Sequence, residues 1–145
     1  MTTVDFSLEG RVALVAGGSR GIGRSIALAF AEAGADVVVS ARKEQDLDSV
    51  AAEIRAKGRR SLGIASHIAK VEESKKLMEA ITKEFGRLDI LVNSAGTNPY
   101  GGPLVDAEEW AWDVTMNVNL KGPFMLSQLA ARMMIEQGSG NIINI

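Results

Sequence analysis

Three glycines, Gly17, Gly21 and Gly23, punctuate the stretch Ala16-Gly17-Gly18-Ser19-Arg20-Gly21-Ile22-Gly23, and their setting suits the binding of a phosphate. Glycine carries no Cβ and accepts φ > 0, so the chain can turn sharply there and a ligand can approach the backbone closely. Ahead of the loop, Val12 to Ala16 is an apolar run suited to a strand covered on both faces. Behind it, Ile22, Ile26, Phe30 and Ala33 recur at helical spacing and predict one apolar helix face. The loop thus leads into a helix N-terminus. Backbone N–H groups without intrahelical partners lie there, at the positive end of the helix dipole, and favour a phosphate. The spacing Gly17-x-x-x-Gly21-x-Gly23 differs from the G-x-G-x-x-G fingerprint, and no Gly-Lys-Ser/Thr follows as in a P-loop. On spacing alone, a tight strand-to-helix turn that binds nothing is the alternative.

The elements that must hold this loop follow from the rest of the chain. Gly10 precedes the first strand, and the first helix ends near Gly34, a suitable C′ glycine. Asp36 to Ser40 reads as a second strand, rich in β-branched residues. Lys43 to Lys57 carries Leu47, Val50, Ala51 and Ile54 as a helical stripe, which Gly58 stops. Ser61 to Ala65 is a weaker strand. Val71 to Phe85 is another amphipathic helix, with Leu77, Met78, Ile81 and Phe85 inward and Gly86 at its end. Asp89 to Asn93 is a fourth strand. Asp106-x-x-Glu109 has the form of a capping box and predicts the start of a long helix toward Gln137. Gly122-Pro123 should kink or interrupt that helix. Asn141 to Ile145 is a fifth strand.

Strands alternating with helices predict an α/β domain: a parallel sheet with helices on both faces, because right-handed crossovers must cover it. Ligands of such sheets lie beyond the C-terminal strand ends, at the switch point of strand order. That places Ala16 to Gly23, Ser40 to Arg42, Ser66 to Ile68 and Asn93 to Thr97 on one rim.

With 145 residues and 46% apolar content, residues 1–145 are expected to form one domain. A net charge of −2 gives no reason to propose nucleic acid or an acidic membrane as partner. The chain has no cysteine, which excludes disulfides and cysteine metal sites, and no metal is expected. No apolar stretch reaches the length of a membrane span, and the N-terminus with Asp5 and Glu9 does not read as a secretory signal. A soluble, cytoplasmic protein is expected.

The loop resembles the cofactor loop of the short-chain dehydrogenase/reductase family, whose usual form is T-G-x-x-x-G-x-G, with Ala16 in place of the threonine. Asn93-Ser94-Ala95-Gly96 resembles that family's N-N-A-G motif, departing at Ser94. Asn119, in Asn117-Val118-Asn119-Leu120-Lys121-Gly122, matches the asparagine of the family's long helix; Asn117 falls where an aspartate is frequent and is assigned no role. The likeness covers residues 7 to 145, and the acyl-carrier-protein ketoreductases and small-alcohol dehydrogenases are the nearest branches.

The resemblance implies a doubly wound Rossmann sheet of strand order 3-2-1-4-5. It implies NADP(H)-dependent hydride transfer between nicotinamide and a ketone or secondary alcohol, in a dimer or tetramer built through the long helix. Cofactor contacts are implied at Gly17, Ser19, Arg20, Gly21, Ile22, Gly23, Arg42, His67, Ile68, Asn93, Ala95 and Gly96. His67 stands where the family often has an aspartate contacting adenine, which implies an edge or stacking contact. Ala95 and Gly96 would let the backbone approach a ribose, and Asn93 could tie neighbouring strands. Asn119 is implied to help place the catalytic lysine through a bound water.

The choice of NADP over NAD rests on the second strand's end. NAD users place an acid there for the ribose 2′-hydroxyl. This chain has Ser40-Ala41-Arg42-Lys43 and no acid before Glu44. Arg42 and Arg20 could clamp a 2′-phosphate by charge-assisted bonds, each contributing roughly 1.5–3 kcal/mol. Solvated surface cations are the alternative.

The family's proton donor is a tyrosine with a lysine four residues later, joined by a serine at the fifth strand's end. Here the one tyrosine, Tyr100, is followed four residues on by Leu104. The catalytic serine, tyrosine and lysine are therefore expected beyond Ile145. The chain is read as a fragment truncated after the fifth strand, the cofactor half, inactive alone. Two other readings are a dinucleotide-binding module without catalysis and a methyltransferase using S-adenosylmethionine. The latter would want an acid at the second strand's end, where Ala41-Arg42 stands.

Overall fold

A computed structural model describes residues 5–145. Five strands, β1 (Val12–Ala16), β2 (Asp36–Ala41), β3 (Ser61–Ala65), β4 (Ile90–Asn93) and β5 (Asn141–Asn144), form one parallel sheet of order β3-β2-β1-β4-β5. Between them run helices α1 (Gly21–Glu32), α2 (Glu44–Ala56), α3 (Val71–Phe85), α4 (Glu109–Met116) and α5 (Gly122–Gln137). This is the Rossmann order that the family resemblance implies.

The central strands β1, β2 and β4 are largely apolar because both of their faces are covered. Along β1, Val12, Leu14 and Ala16 join an apolar layer with Leu77, Met78 and Ile81 of α3 and Leu126, Ala130 and Met134 of α5. Ala13 and Val15 join the opposite layer, with Ala27 and Ala31 of α1 and Leu47, Val50 and Ile54 of α2. Fully buried leucines such as Leu14, Leu47 and Leu91 each contribute roughly 1.5–3 kcal/mol. Only β5, at the sheet edge, is exposed along its length.

Two helix expectations are corrected. The side of α1 that meets the sheet is Gly23, Ala27 and Ala31, not the stripe of Ile22, Ile26, Phe30 and Ala33. Ile22 is exposed, while Ile26 and Phe30 flank the contact. Small side chains let the helix lie close to the strands, and periodicity of the large residues traced the shoulder of that contact. Asp106 does not cap the long helix. It ends a 3₁₀ turn (Leu104–Asp106), and extended backbone at Ala107 and Glu108 separates it from α4.

The interruption expected at Gly122-Pro123 takes the form of a π turn, Asn117–Lys121, between α4 and α5. Pro123 has no N–H to donate to the carbonyl four residues back, and a widened turn absorbs the missing bond.

At the opposite end of the sheet, the buried Asp89 accepts the Val12 N–H at 2.9 Å and contacts the guanidinium groups of Arg87 (2.7 and 2.8 Å) and Arg11 (3.3 Å). Burial by itself would raise this carboxyl. The Arg87 and Val12 donors, with Arg11, outweigh it and hold Asp89 below the ordinary carboxylate range.

Candidate functional site

A cavity of about 600 Å³ opens at the C-terminal ends of the strands, where β1 turns toward β2 on one side and β4 on the other. Such a reversal is where α/β sheets bind ligands. The loop between β1 and α1 forms its floor. Gly17 and Gly18 donate their N–H groups to the Ser40 carbonyl at 2.7 and 3.1 Å, which ties the loop to the end of β2. Gly17 has φ +88, and a Cβ there would lie 2.6 Å from the Ala95 nitrogen. At Gly23 a Cβ would collide with the Gly17 carbonyl oxygen. These two glycines therefore let three backbone segments converge. No side chain caps the start of α1, so its first N–H groups face the cavity without a side-chain partner.

Eleven of the residues singled out from the sequence line this cavity: Gly17, Ser19, Arg20, Gly21, Ile22, Gly23, Arg42, His67, Ile68, Ala95 and Gly96. Among the described residues, Arg20 and Arg42 form no ion pair, leaving both guanidinium groups available to an anion.

Two others lie outside the lining. Asn93 is buried, and its amide donates to Ser127 Oγ at 3.0 Å and Asn144 Oδ1 at 2.8 Å. It joins β4 to β5 and α5, a tie between neighbouring strands as the sequence reading allowed. Asn119 spends its amide on the backbone of one residue. Its Oδ1 accepts the Thr97 N–H and its Nδ2 donates to the Thr97 carbonyl, both at 2.8 Å. That two-point clasp fixes the segment after β4 against the π turn. Asn119→Ala is expected to cost about 1 kcal/mol of stability. It should also lower the backbone order parameter of Thr97 measured by ¹⁵N relaxation.

Sequence reading missed Asn117, Asp46 and Ser74, which also line the cavity. Asn117 arrives through the π turn, for which Gly122-Pro123 was the only signal. Asp46 sits in the first turn of α2 and Ser74 in that of α3, positions that read as ordinary helix starts. Ser74 is buried, and its hydroxyl has no hydrogen-bond partner among the described residues.

The far rim is a turn from His67 to Lys70, closed by the Lys70 N–H on the His67 carbonyl at 2.8 Å. Glu73 accepts the His67 N–H at 2.6 Å and pairs with Lys70 at 3.0 Å. The His67 N–H, then Lys70, hold the Glu73 carboxyl below its ordinary range. The sole tyrosine lies off the cavity, its hydroxyl donating to the Pro103 carbonyl at 3.2 Å.

Comparison with known proteins bears on this geometry. The profile of the family described as short chain dehydrogenase matches residues 11–145. The chain is 37% identical over 136 residues to Dehydrogenase/reductase SDR family member 4 of Pongo abelii, covering 94% of this chain and 49% of that protein. It is 43% identical over 134 residues to the 3-oxoacyl-[acyl-carrier-protein] reductase FabG of Staphylococcus aureus (strain N315), covering 92% of this chain and 54% of that protein. The chain thus spans about half the length of the curated relatives it matches. A metagenomic short-chain oxidoreductase in complex with NADP superposes with TM-score 0.88 at 39% identity, over 94% of this chain and 61% of that one. NAD⁺-bound xylitol dehydrogenase superposes with TM-score 0.90 at 27% identity, over 94% and 52%.

Proposed function

Because this chain belongs to the short-chain dehydrogenase family, we propose that its cavity holds NADP(H) and forms the cofactor half of a carbonyl reductase or alcohol dehydrogenase. The observation that carries the reading is the cradle itself: an uncapped helix start over Gly17 and Gly23, flanked by two unpaired guanidinium groups. Added Cβ atoms would fill that cradle, so the residues present fit a pyrophosphate. The N–H groups of Gly21, Ile22 and Gly23 would hold it. Arg20 and Arg42 would take the 2′-phosphate, and Ala95 and Gly96 would face the sugar. When bound, the nicotinamide supplies or accepts the hydride. Asn119 would act at one remove, by fixing the Thr97 segment on the cavity wall.

The preference over NAD is tested by titrating nicotinamide fluorescence with NADPH and NADH. Arg42→Ala is expected to weaken NADPH about tenfold to a hundredfold while leaving NADH nearly unchanged. Equal loss for both ligands would remove the clamp from the account. NAD is the second reading, favoured by the acidic Asp46, which lines the cavity together with Arg42.

Turnover is a separate matter. Tyr100 is committed to Pro103 and has Leu104, not a lysine, four residues on, so this chain offers the cavity no phenol for proton transfer. Binding without carbonyl reduction is expected of residues 1–145, with reduction regained in a chain extended to its relatives' length. In that full-length form the same reading includes a homodimer or homotetramer, and the exposed Trp112, Leu120 and Phe124 of α4, the π turn and α5 offer the apolar surface for it.

A further inference from the structure

Gly122 is buried at the point where the π turn passes into α5. Its backbone is ordinary right-handed helix, φ −58 and ψ −56, so its own conformation does not call for glycine. In such a place alanine is the better residue, because glycine surrenders more chain freedom on folding. The need for glycine comes from a neighbouring segment. A Cβ on Gly122 would lie 2.7 Å from the Ile68 carbonyl oxygen, and 3.0 Å from both the Ile68 carbonyl carbon and Cγ1. The long helix is thus seated directly on the backbone of the turn that follows β3.

Three residues earlier, Asn119 holds Thr97 in the segment that follows β4. In the sheet, β2 and β1 stand between β3 and β4. The π turn and the start of α5 therefore join two parts of the cavity wall, Ile68 and Thr97, that the sheet keeps apart. Sliding of α5 does not relieve pressure at this seat. At the helix's far end Gln137 donates to the Leu88 carbonyl at 2.7 Å and accepts the Leu88 N–H at 3.3 Å. The adaptable piece is the π turn, which the Gly122 N–H closes on the Asn117 carbonyl and which carries Asn119.

We propose that Gly122 is a positioning residue: its bare Cα seats the long helix on the Ile68 carbonyl and thereby sets, through the Asn119 clasp, where Thr97 stands across the cavity. The inference rests on the dinucleotide reading for its ligands and adds to that reading a device that fixes the cavity's span. A dinucleotide that reaches from the Ile68 side to the Thr97 side feels the span. A fragment confined to the α1 start, the end of β2 and the Ile68 side does not.

The test is Gly122→Ala in the whole chain, titrated by calorimetry with NADPH and with adenosine 2′,5′-bisphosphate, the phosphorylated adenosine half alone. The variant is expected to weaken NADPH about tenfold and the bisphosphate less than about threefold. General loosening of the fold would weaken both alike. Without ligand, deuterium exchange of the Thr97 N–H, which Asn119 Oδ1 accepts, should quicken about tenfold or more. An unchanged ratio of the two affinities, or an unmoved Thr97 exchange, overturns the positioning role and leaves the cofactor reading intact. A folded wild type that binds neither ligand overturns the cofactor reading, and Thr97 exchange then decides the positioning role alone. Should Gly122→Ala fail to fold, Ile68→Ala carries the exchange measurement, because it takes Cγ1 out of the seat. Quickening of about threefold at Thr97 is then expected, and none overturns the role.

Discussion

Gly17→Ala is expected to weaken NADPH binding by more than about a hundredfold, the largest single effect on the cavity. Two independent penalties meet at this residue. Its φ of +88 is one that side-chain-bearing residues adopt at a cost of about 1–3 kcal/mol. The new methyl group would also lie 2.6 Å from the Ala95 nitrogen, 2.7 Å from the Ala95 Cα and 2.8 Å from the Ser94 carbonyl carbon. All three are backbone atoms at the end of β4, so no rotamer change relieves the overlap. The loop must lift away from β4, and the first N–H groups of α1 lift with it. Gly21→Ala separates the two penalties, because Gly21 has φ +55 with nothing within 4 Å of an added Cβ. It should keep most of the affinity and lose only about 1 kcal/mol of stability. Fluorescence titration beside thermal unfolding reads both variants. Comparable binding by Gly17→Ala and Gly21→Ala would remove the contact with β4 from the explanation.

The second large effect concerns stability. Asp89→Ala is expected to cost about 2–4 kcal/mol, measured by urea unfolding. The substitution strands the buried Val12 N–H and frees two guanidinium groups that are now held against β1 and β4. Those guanidinium groups are about half exposed and regain solvent, which keeps the loss below that of a fully buried ion pair. Asp89→Asn retains an acceptor for Val12 and should lose about half as much. The pH dependence follows with a definite sign. The folded carboxyl lies below its ordinary range, so the unfolded chain binds its proton first as the solution is acidified. The stabilisation is whole above the unfolded carboxylate value near 4, roughly, and is lost as pH falls through the lower folded value. Wild type and Asp89→Ala should therefore converge in stability on acidification. A gap that stays constant down to the acid limit would show that Asp89 acts through shape, not charge.

Much of the fold was legible because both faces of the sheet are buried, so that apolar runs such as Val12 to Ala16 and Ile90 to Val92 stand out without any alternation to decode. The stripe Leu47, Val50, Ala51, Ile54 was equally plain, since α2 meets the sheet through large side chains over a charged back. On α1 the same logic failed, because the contact there is made by glycine and alanine, which carry little periodic signal. Asp106 misled for a local reason: the spacing of a capping box says nothing about the backbone between its two ends, and here a 3₁₀ turn occupies it. In the site, loop residues were easier to place than helical ones. The β1–α1 loop is fixed by its own glycines, whereas Asp46, Ser74 and Asn117 reach the cavity only through the angles at which α2, α3 and the π turn meet the sheet. No motif records those angles.

The sheet divides the interior into two apolar layers that share no helix, one under α3 and α5 and the other under α1 and α2. The cavity is the place where both layers end, with α1 and α2 on one shore and the His67 turn and π turn on the other. A ligand lying across it would act as a rivet between halves that are otherwise joined mainly through the strands. Slow amide deuteration in the two halves should then fall together on saturation, in proportion to ligand occupancy, even at helices that never touch the ligand.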